Sequence, residues 1–260
     1  MSQQWADKVV FITGAAAGIG LAAARLLARD GASVALVDRD ARALAAAVED
    51  THASRVVALE ADVSSEADVT AAIARTLELY GRIDGAVVNA GIAGANMPLE
   101  EYPVELFDEV VATNLRGAWL TLRAVVKPMK AARSGSIVLT SSIQGLAALA
   151  GTTAYTTTKH AVVGMMKGAA LELAQFGVRV NTIHPGYVDT PMMQAIHEAV
   201  SPEDPSEFES ALASTVPLQR YAQPEEIARL IRFLLSDDSS YTTGSCFAAD
   251  GGILAALPSL

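Results

Sequence analysis

Residues 8–20 read Lys-Val-Val-Phe-Ile-Thr-Gly-Ala-Ala-Ala-Gly-Ile-Gly. The run from Val9 to Ile12 is apolar without alternation and mostly β-branched, the pattern of a short strand covered on both faces. Glycines follow at positions 14, 18 and 20, and an alanine- and leucine-rich stretch at helical spacing opens at once. Such a loop turns tightly at Gly14, brings backbone close to a pyrophosphate at Gly18, and lets a helix pack closely at Gly20. The helix behind it offers unpaired N–H groups and the positive end of its dipole to an anion. Gly14, Gly18, Ile19 and Gly20 are therefore candidate dinucleotide-binding residues, on the strength of a glycine spacing that falls between a strand and a helix.

Outward from this loop the alternation repeats. Candidate strands fall at Lys8–Thr13, Ser33–Val37, Arg55–Leu59, Gly85–Asn89, Ser136–Thr140, Arg179–Ile183 and near Ser245–Ala249. Helical patterns fill the intervals at about Gly18–Arg29, Asp40–Asp50, Glu66–Tyr80, Val104–Lys130, Tyr155–Gln175 and Pro224–Leu235. Strands alternating with longer helices predict an α/β fold, a Rossmann-type doubly wound parallel sheet of about seven strands with helices on both faces. The whole chain of 260 residues reads as one domain. Residues 187–217 hold four of the ten prolines and a weaker helical pattern, and read as a mobile flap over a substrate.

With 29 acidic against 19 basic residues the net charge is −10, which speaks against nucleic acid or an anionic membrane as partner. Cys246 is the only cysteine, so no intrachain disulfide can form, and a cytoplasmic location is expected. The first residues show no basic segment followed by an apolar one, and no apolar run reaches the ~18 residues of a membrane span. His52, His160, His184 and His197 have no metal-ligand spacing, so no metal site is expected.

Asp38 closes the second strand, 18 residues past Gly20. A carboxylate there can accept hydrogen bonds from both hydroxyls of an adenosine ribose and would repel a 2′-phosphate, which favours NAD over NADP. Tyr155 and Lys159 stand four apart on a predicted helix and share one face. A nearby ammonium favours the phenolate, so the pair predicts a phenol with a lowered pKa, able to exchange a proton with a hydroxyl or carbonyl. Ser142 lies 13 residues before Tyr155, just after a strand, and Asn114 falls inside the long helical pattern before it.

Over nearly its whole length the sequence resembles the short-chain dehydrogenase/reductase family. The residues that carry the resemblance are Thr13–Gly20, Asp62-Val63, Asn89-Ala90-Gly91, Asn114, Ser142, Tyr155 with Lys159, Pro185-Gly186 and Thr190, in this order and spacing. One departure is Val88, where many members carry a further asparagine. The resemblance implies Tyr155 as general acid/base, with Lys159 lowering its pKa and holding the nicotinamide ribose. It implies Ser142 on the reacting oxygen, the 13-residue spacing choosing it over Ser141, and Asn114 on a water that links Lys159 to solvent. Asp62 and Val63 would meet adenine and Asn89, with Ala90 and Gly91, the neighbouring ribose region. Val188 and Thr190, after Pro185 and Gly186, would meet the carboxamide or phosphates.

The function expected of such a chain is that of an NAD-dependent oxidoreductase moving a hydride between nicotinamide and a small secondary alcohol or ketone. The stretches 235–241 and 249–252 look like those of members acting on alicyclic alcohols and diols. Ser142, Gln144, Tyr187 and Met192 are the candidate substrate residues, with Ile92 and Ala93 beside them. Two other readings stand next to this one. A 3-oxoacyl-thioester reductase is opposed by Asp38, since such reductases generally use NADPH. A non-catalytic dinucleotide sensor would lack one of Ser142, Tyr155 and Lys159. A homotetramer is expected from the family, paired through helices 104–130 and 155–175.

Overall fold

The computed structural model describes residues 5–51 and 55–255; residues 1–4 and His52 lie outside them. Seven strands, β1 (Val9–Thr13), β2 (Ser33–Asp38), β3 (Val56–Glu60), β4 (Gly85–Val88), β5 (Gly135–Thr140), β6 (Val178–Pro185) and β7 (Cys246–Ala249), form one sheet. Its order is β3-β2-β1-β4-β5-β6-β7 and every pairing is parallel. The helices are α1 (Gly18–Arg29), α2 (Ala41–Thr51), α3 (Glu66–Tyr80), α4 (Val104–Val110), α5 (Ala118–Ala132), α6 (Thr153–Leu173), α7 (Pro191–Val200), α8 (Pro205–Thr215) and α9 (Pro224–Leu235).

The unbroken apolar strands are explained by a core on each side of the sheet. On one face Val10, Ile12, Val34 and Leu36 pack with Leu27 of α1 and Ile227, Ile231 and Leu234 of α9. On the other, Phe11, Ala35, Ile137 and Leu139 pack with Val125 and Met129 of α5 and Met166 of α6. Successive strand residues point to opposite faces, so both must be apolar. Burying each large side chain contributes about 1.5–3 kcal/mol, and Ile12→Ala would cost about 2–5 kcal/mol.

From β1 the chain winds outward through β2 to β3, then returns to β4 on the other side of β1. Strand order reverses there, and helices leave the strand ends in opposite directions. The crevice outside the carboxyl ends at this switch point is where a ligand can enter an open parallel sheet.

Two expectations are corrected. The pattern read as one helix over 104–130 is α4 and α5 joined by seven residues of π-helix, Val111–Gly117. The wider turn is filled by residues that make contacts the period alone does not reveal: Asn114 reaches the backbone of Ile92, and Gly117 lies against Val63. The segment 187–217, read as weakly helical, forms α7 and α8. Its prolines are the misleading signal. Pro191 and Pro205 begin their helices, where a missing N–H costs nothing, behind capping side chains of Thr190 and Asp204.

Candidate active site

The site is assembled at the carboxyl ends of β1, β4, β5 and β6. At β1, Gly14 adopts φ +63°, and a Cβ there would lie 2.9 Å from the Ala90 Cα, so only glycine fits between the first and fourth strand ends. A Cβ on Gly20 would overlap the Gly14 carbonyl. The Thr13 hydroxyl accepts from the N–H groups of Asn89 (3.0 Å) and Ala90 (3.2 Å), and Asn89 Nδ2 donates to the Gly14 carbonyl (3.1 Å). These bonds fix the glycine loop against Asn89-Ala90-Gly91.

Helix α1 begins at Gly18 with no side-chain cap from Ala17 and no acidic residue in its first turn. Among the described residues no side chain caps its first N–H groups. Capped helices such as α3, where Ser65 accepts from Asp68 N–H, show the alternative. An uncapped N-terminus behind a glycine cradle fits a pyrophosphate. Thr190 stands across the loop, its Cγ2 3.1 Å from where a Gly18 Cβ would lie, and its hydroxyl caps α7 by accepting from Met193 N–H (3.3 Å).

Asp38 ends β2 half-buried, with Oδ2 accepting from Ala16 N–H (3.2 Å) and Oδ1 from Asp40 N–H (3.3 Å). The cap of α2 comes from Asp40, which accepts from Ala43 N–H (2.9 Å), so Asp38 is not needed for that role. Asp62 accepts from the Ser64 N–H and hydroxyl, both at 2.8 Å, and these bonds hold its carboxyl below the usual range, helped by Arg39. The Val63 side chain is buried against Val69 and Leu120.

Asn114, buried within the π-helical segment, clamps both backbone groups of Ile92: Oδ1 accepts from its N–H and Nδ2 donates to its carbonyl, each at 2.8 Å. Gly91 lies between Asn114 and Lys159, where a Cβ would come within 3.2 Å of Asn114 Oδ1 and 3.5 Å of Lys159 Nζ. Lys159 is buried on α6 and donates to the Thr140 carbonyl (2.9 Å), its Nζ lying 5.3 Å from the Tyr155 ring centre. Tyr155 sits in the first turn of α6, near enough to the Ser142 hydroxyl for that group to favour its phenolate. The Ser142 hydroxyl also accepts from Gln144 N–H (3.1 Å), which leaves its proton for another acceptor. Ser141, by contrast, is buried and donates to the Lys159 carbonyl (3.0 Å).

Burial pushes the Tyr155 phenol up to about 12, partly opposed by the Ser142 hydroxyl, and pushes the Lys159 ammonium down to about 8. The sequence predicts a lowered phenol, and the direction is opposite. Both groups have exchanged water for protein, which disfavours the charged form of each.

Two residues that sequence reasoning passed over complete the geometry. His184, fully buried in β6, bonds the Ser142 carbonyl through Nδ1 (2.7 Å) and the Thr182 hydroxyl through Nε2 (2.9 Å). A carbonyl only accepts, so Nδ1 carries the proton and Nε2 accepts from Thr182. Burial holds this imidazole below its ordinary pKa. Thr140 Oγ1, at the end of β5 beside Lys159, is the one buried side-chain polar atom without a partner among the described residues. No sequence signal marked either.

The remaining candidates are more scattered. Pro185 ends β6, and Gly186 N–H donates to the Ala249 carbonyl (3.1 Å), carrying the chain past β7. Val188 is buried and bridges Ala222. The Tyr187 ring packs 5.5 Å from Tyr221, whose hydroxyl meets His197 of α7 (3.0 Å), and His197 stacks edgewise on Phe208 of α8. Met192 is exposed on α7. The Gln144 side chain turns toward the start of α6, bonded to Thr152 and Thr156. Among the described residues no group of three or more His, Cys, Asp and Glu is arranged to hold a metal, and no helix is long and apolar enough to cross a membrane.

A glycine-rich strand-to-helix loop with a Ser, Tyr and Lys cluster at the same sheet edge defines a class of nucleotide-dependent oxidoreductase. Residues 14–254 match a family described as enoyl-(acyl carrier protein) reductase, and the chain belongs to the short-chain dehydrogenases/reductases. It is 40% identical to levodione reductase of Leifsonia aquatica over 97% of this chain and 96% of that protein. A crystal structure of levodione reductase superposes with a TM-score of 0.94, covering 97% of this chain and 100% of that one. It is 41% identical to the 3-alpha-(or 20-beta)-hydroxysteroid dehydrogenase of Mycobacterium tuberculosis over 99% of this chain and 93% of that one. Among solved structures, NAD+-bound xylitol dehydrogenase gives a TM-score of 0.89 at 34% identity (96% and 100% covered). The NADH complex of 3-ketoacyl-(acyl-carrier-protein) reductase from Brucella melitensis gives 0.87 at 30% (95% and 98%).

Proposed function

We propose that the chain is an NAD-dependent oxidoreductase interconverting a small secondary alcohol and its ketone. The observation that carries this reading is the grouping of Ser142, Tyr155 and the buried Lys159, its Nζ 5.3 Å from the phenol ring centre, at the sheet edge where the uncapped α1 and Asp38 would hold a dinucleotide. When bound, the nicotinamide carries the hydride and, in its oxidised form, a positive charge.

The residues divide the remaining work. Gly14, Gly18, Ile19 and Gly20 hold the pyrophosphate, and Asp38 holds the adenosine ribose while repelling a 2′-phosphate. Asp62 and Val63 border the adenine, and Asn89, Ala90 and Gly91 the neighbouring ribose. Pro185, Gly186, Val188 and Thr190 close the nicotinamide end. The substrate oxygen receives the Ser142 proton as a hydrogen bond, and Tyr155 gives its phenolic proton to a nascent alkoxide or takes one from an alcohol. A raised phenol pKa keeps that proton in place at neutral pH, which suits reduction of a ketone. Lys159 holds the nicotinamide ribose and stabilises the phenolate while it exists. Asn114 uses both its amide groups on Ile92, holding the wall from which a water can reach Lys159.

The chain is read as one domain, with 187–217 as the substrate flap. The Tyr187, Tyr221, His197 and Phe208 cluster anchors α7 and α8 of that flap to the end of β6. We place the protein in the cytoplasm, on the single cysteine, and as a homotetramer, on the exposed Phe107, Trp119 and Leu171 of α4, α5 and α6.

Mixing the protein with NAD and with NADP in turn, over a panel of alicyclic alcohols, tests the reading at 340 nm. NADH formation from a secondary alcohol is the expected result. Turnover of 3-oxoacyl thioesters with NADPH in preference would favour the other reading, against which Asp38 stands.

A further inference from the structure

We propose that Arg116 is a positioning residue joining the adenine side of the site to the Asn114 clamp beside Lys159. Filling the adenine side then raises the rate at the nicotinamide end. This rests on the dinucleotide reading of the same site.

Ser64 is the link on the adenine side. Its N–H and hydroxyl both donate to Asp62 Oδ1 at 2.8 Å, and its carbonyl accepts from Arg116 Nη1. All three polar groups of Ser64 are therefore committed, two to the carboxylate assigned to adenine and one to Arg116. The next residue along, Gly117, presses on the same loop. A Cβ there would lie 2.7 Å from Val63 Cγ2 and 3.2 Å from the Val63 carbonyl. Leu120, one turn further, packs on Val63 as well. The segment 62–64 is thus held against the last residues of the π-helical segment Val111–Gly117 and the start of α5.

The same π-helical segment carries Asn114, which serves the other end of the site. Its amide clamps Ile92, and its Nδ2 lies 3.4 Å from the Thr158 hydroxyl, whose own proton goes to the Tyr155 carbonyl (2.8 Å). Gly91, between Asn114 and Lys159, leaves no slack there. A displacement of this segment relative to Ser64 and Val63 is therefore felt by the backbone that carries Tyr155 and Lys159. Single-turn π irregularities occur mostly at functional sites, and this one is used at both ends. Where a remote part of a ligand is rigidly connected to the reacting centre, its binding energy can appear in the rate rather than in affinity alone. Arg116 is exposed and bonds a backbone carbonyl, so it can be removed without opening the core.

The test supplies the dinucleotide in two pieces. Nicotinamide mononucleotide replaces NAD in oxidation of the alcohol that NAD oxidises fastest, and AMP is added to fill the adenine side. In the unaltered protein AMP is expected to raise kcat/KM for the mononucleotide about tenfold, the worth of one hydrogen bond to a charged group. Arg116→Ala is expected to leave turnover with the mononucleotide alone unchanged and to lose the gain from AMP. Arg116→Lys, which keeps a donor for the Ser64 carbonyl, recovers part of the gain. AMP that displaces NADH yet leaves mononucleotide turnover flat in the unaltered protein would overturn the proposal. So would a gain that Arg116→Ala does not reduce, or a fall in mononucleotide turnover without AMP as large as the lost gain, which is the mark of a merely structural role. AMP that fails to displace NADH would instead overturn the adenine assignment beneath the proposal, and absence of turnover with NAD itself the oxidoreductase reading.

Discussion

At the residue scale the chemistry is set by how burial treats two proton carriers. Lys159 has its ammonium pushed down to about 8, so above that pH the side chain is largely neutral. A ligand that accepts a hydrogen bond from the ammonium favours the charged form and must raise that pKa. Binding of NADH at pH 8.5 is therefore expected to take up a fraction of a proton, and at pH 6.5 none, because Lys159 is charged there already. Titration calorimetry in buffers of different ionisation enthalpy reads this directly, and Lys159→Met should abolish the uptake; proton release would contradict the assignment. Tyr155 and Lys159 are legible in the sequence because a spacing of four on a helix is enough to pair them. The direction of the phenol's shift is not, since it depends on how much water the fold removes. His184 is equally hidden, as its role is a bond to a carbonyl 42 residues away. His184→Ala would release the Ser142 backbone, and kcat is expected to fall about tenfold with the Kd for NADH little changed, while His184→Gln, which can still donate, recovers part of it. Loss of NADH binding in proportion would mean that His184 supports the fold rather than Ser142.

Among the elements, the strands and the helices α1, α3, α6 and α9 follow from hydrophobic period, and their ends lie within a few residues of the sequence reading. Two elements do not. The helix over 104–130 is interrupted because seven residues adopt a wider π turn, and that turn directs Asn114 at Ile92. Period alone cannot register one extra residue per turn. The flap departs from its reading for a different reason, since proline counts as a breaker in a pattern, whereas Thr190-Pro191 and Asp204-Pro205 are start signals. Thr190 both caps α7 and faces the Gly18 turn, so it joins flap to glycine loop. Thr190→Ala removes a cap worth about 1 kcal/mol. Faster amide exchange confined to α7, together with several-fold weaker NADH binding, is the expected result; exchange rising equally in α9 would show a global loss of stability instead.

For the whole molecule, one parallel sheet with apolar cores on both faces explains why runs such as Val9–Ile12 and Val34–Val37 are apolar at successive positions. It also places the glycine loop, Asn89, Ser142 and Pro185 along one edge, although they are separated by up to 171 positions between Gly14 and Pro185. The fold class can be read from alternation, whereas the substrate cannot, because the segments after β4, β5 and β6 that adjoin the site carry no regular period. The exposed Leu171 and Trp119 belong to this scale too. If the tetramer is paired through α5 and α6, Leu171→Glu combined with Trp119→Glu should lower the mass in light scattering from four chains to two or one while circular dichroism stays unchanged. A species of unaltered mass would remove these helices from the interface.

The central claim is that the Tyr155 phenol moves the proton that accompanies each redox event. Tyr155→Phe keeps the ring and deletes only the hydroxyl, so NADH binding, monitored by its fluorescence, should stay within a few-fold of the unaltered protein. Its kcat should fall at least 100-fold, since a positioned acid or base contributes about 10²–10⁴. A variant that bound NADH normally and still turned over at near the original rate would contradict the account.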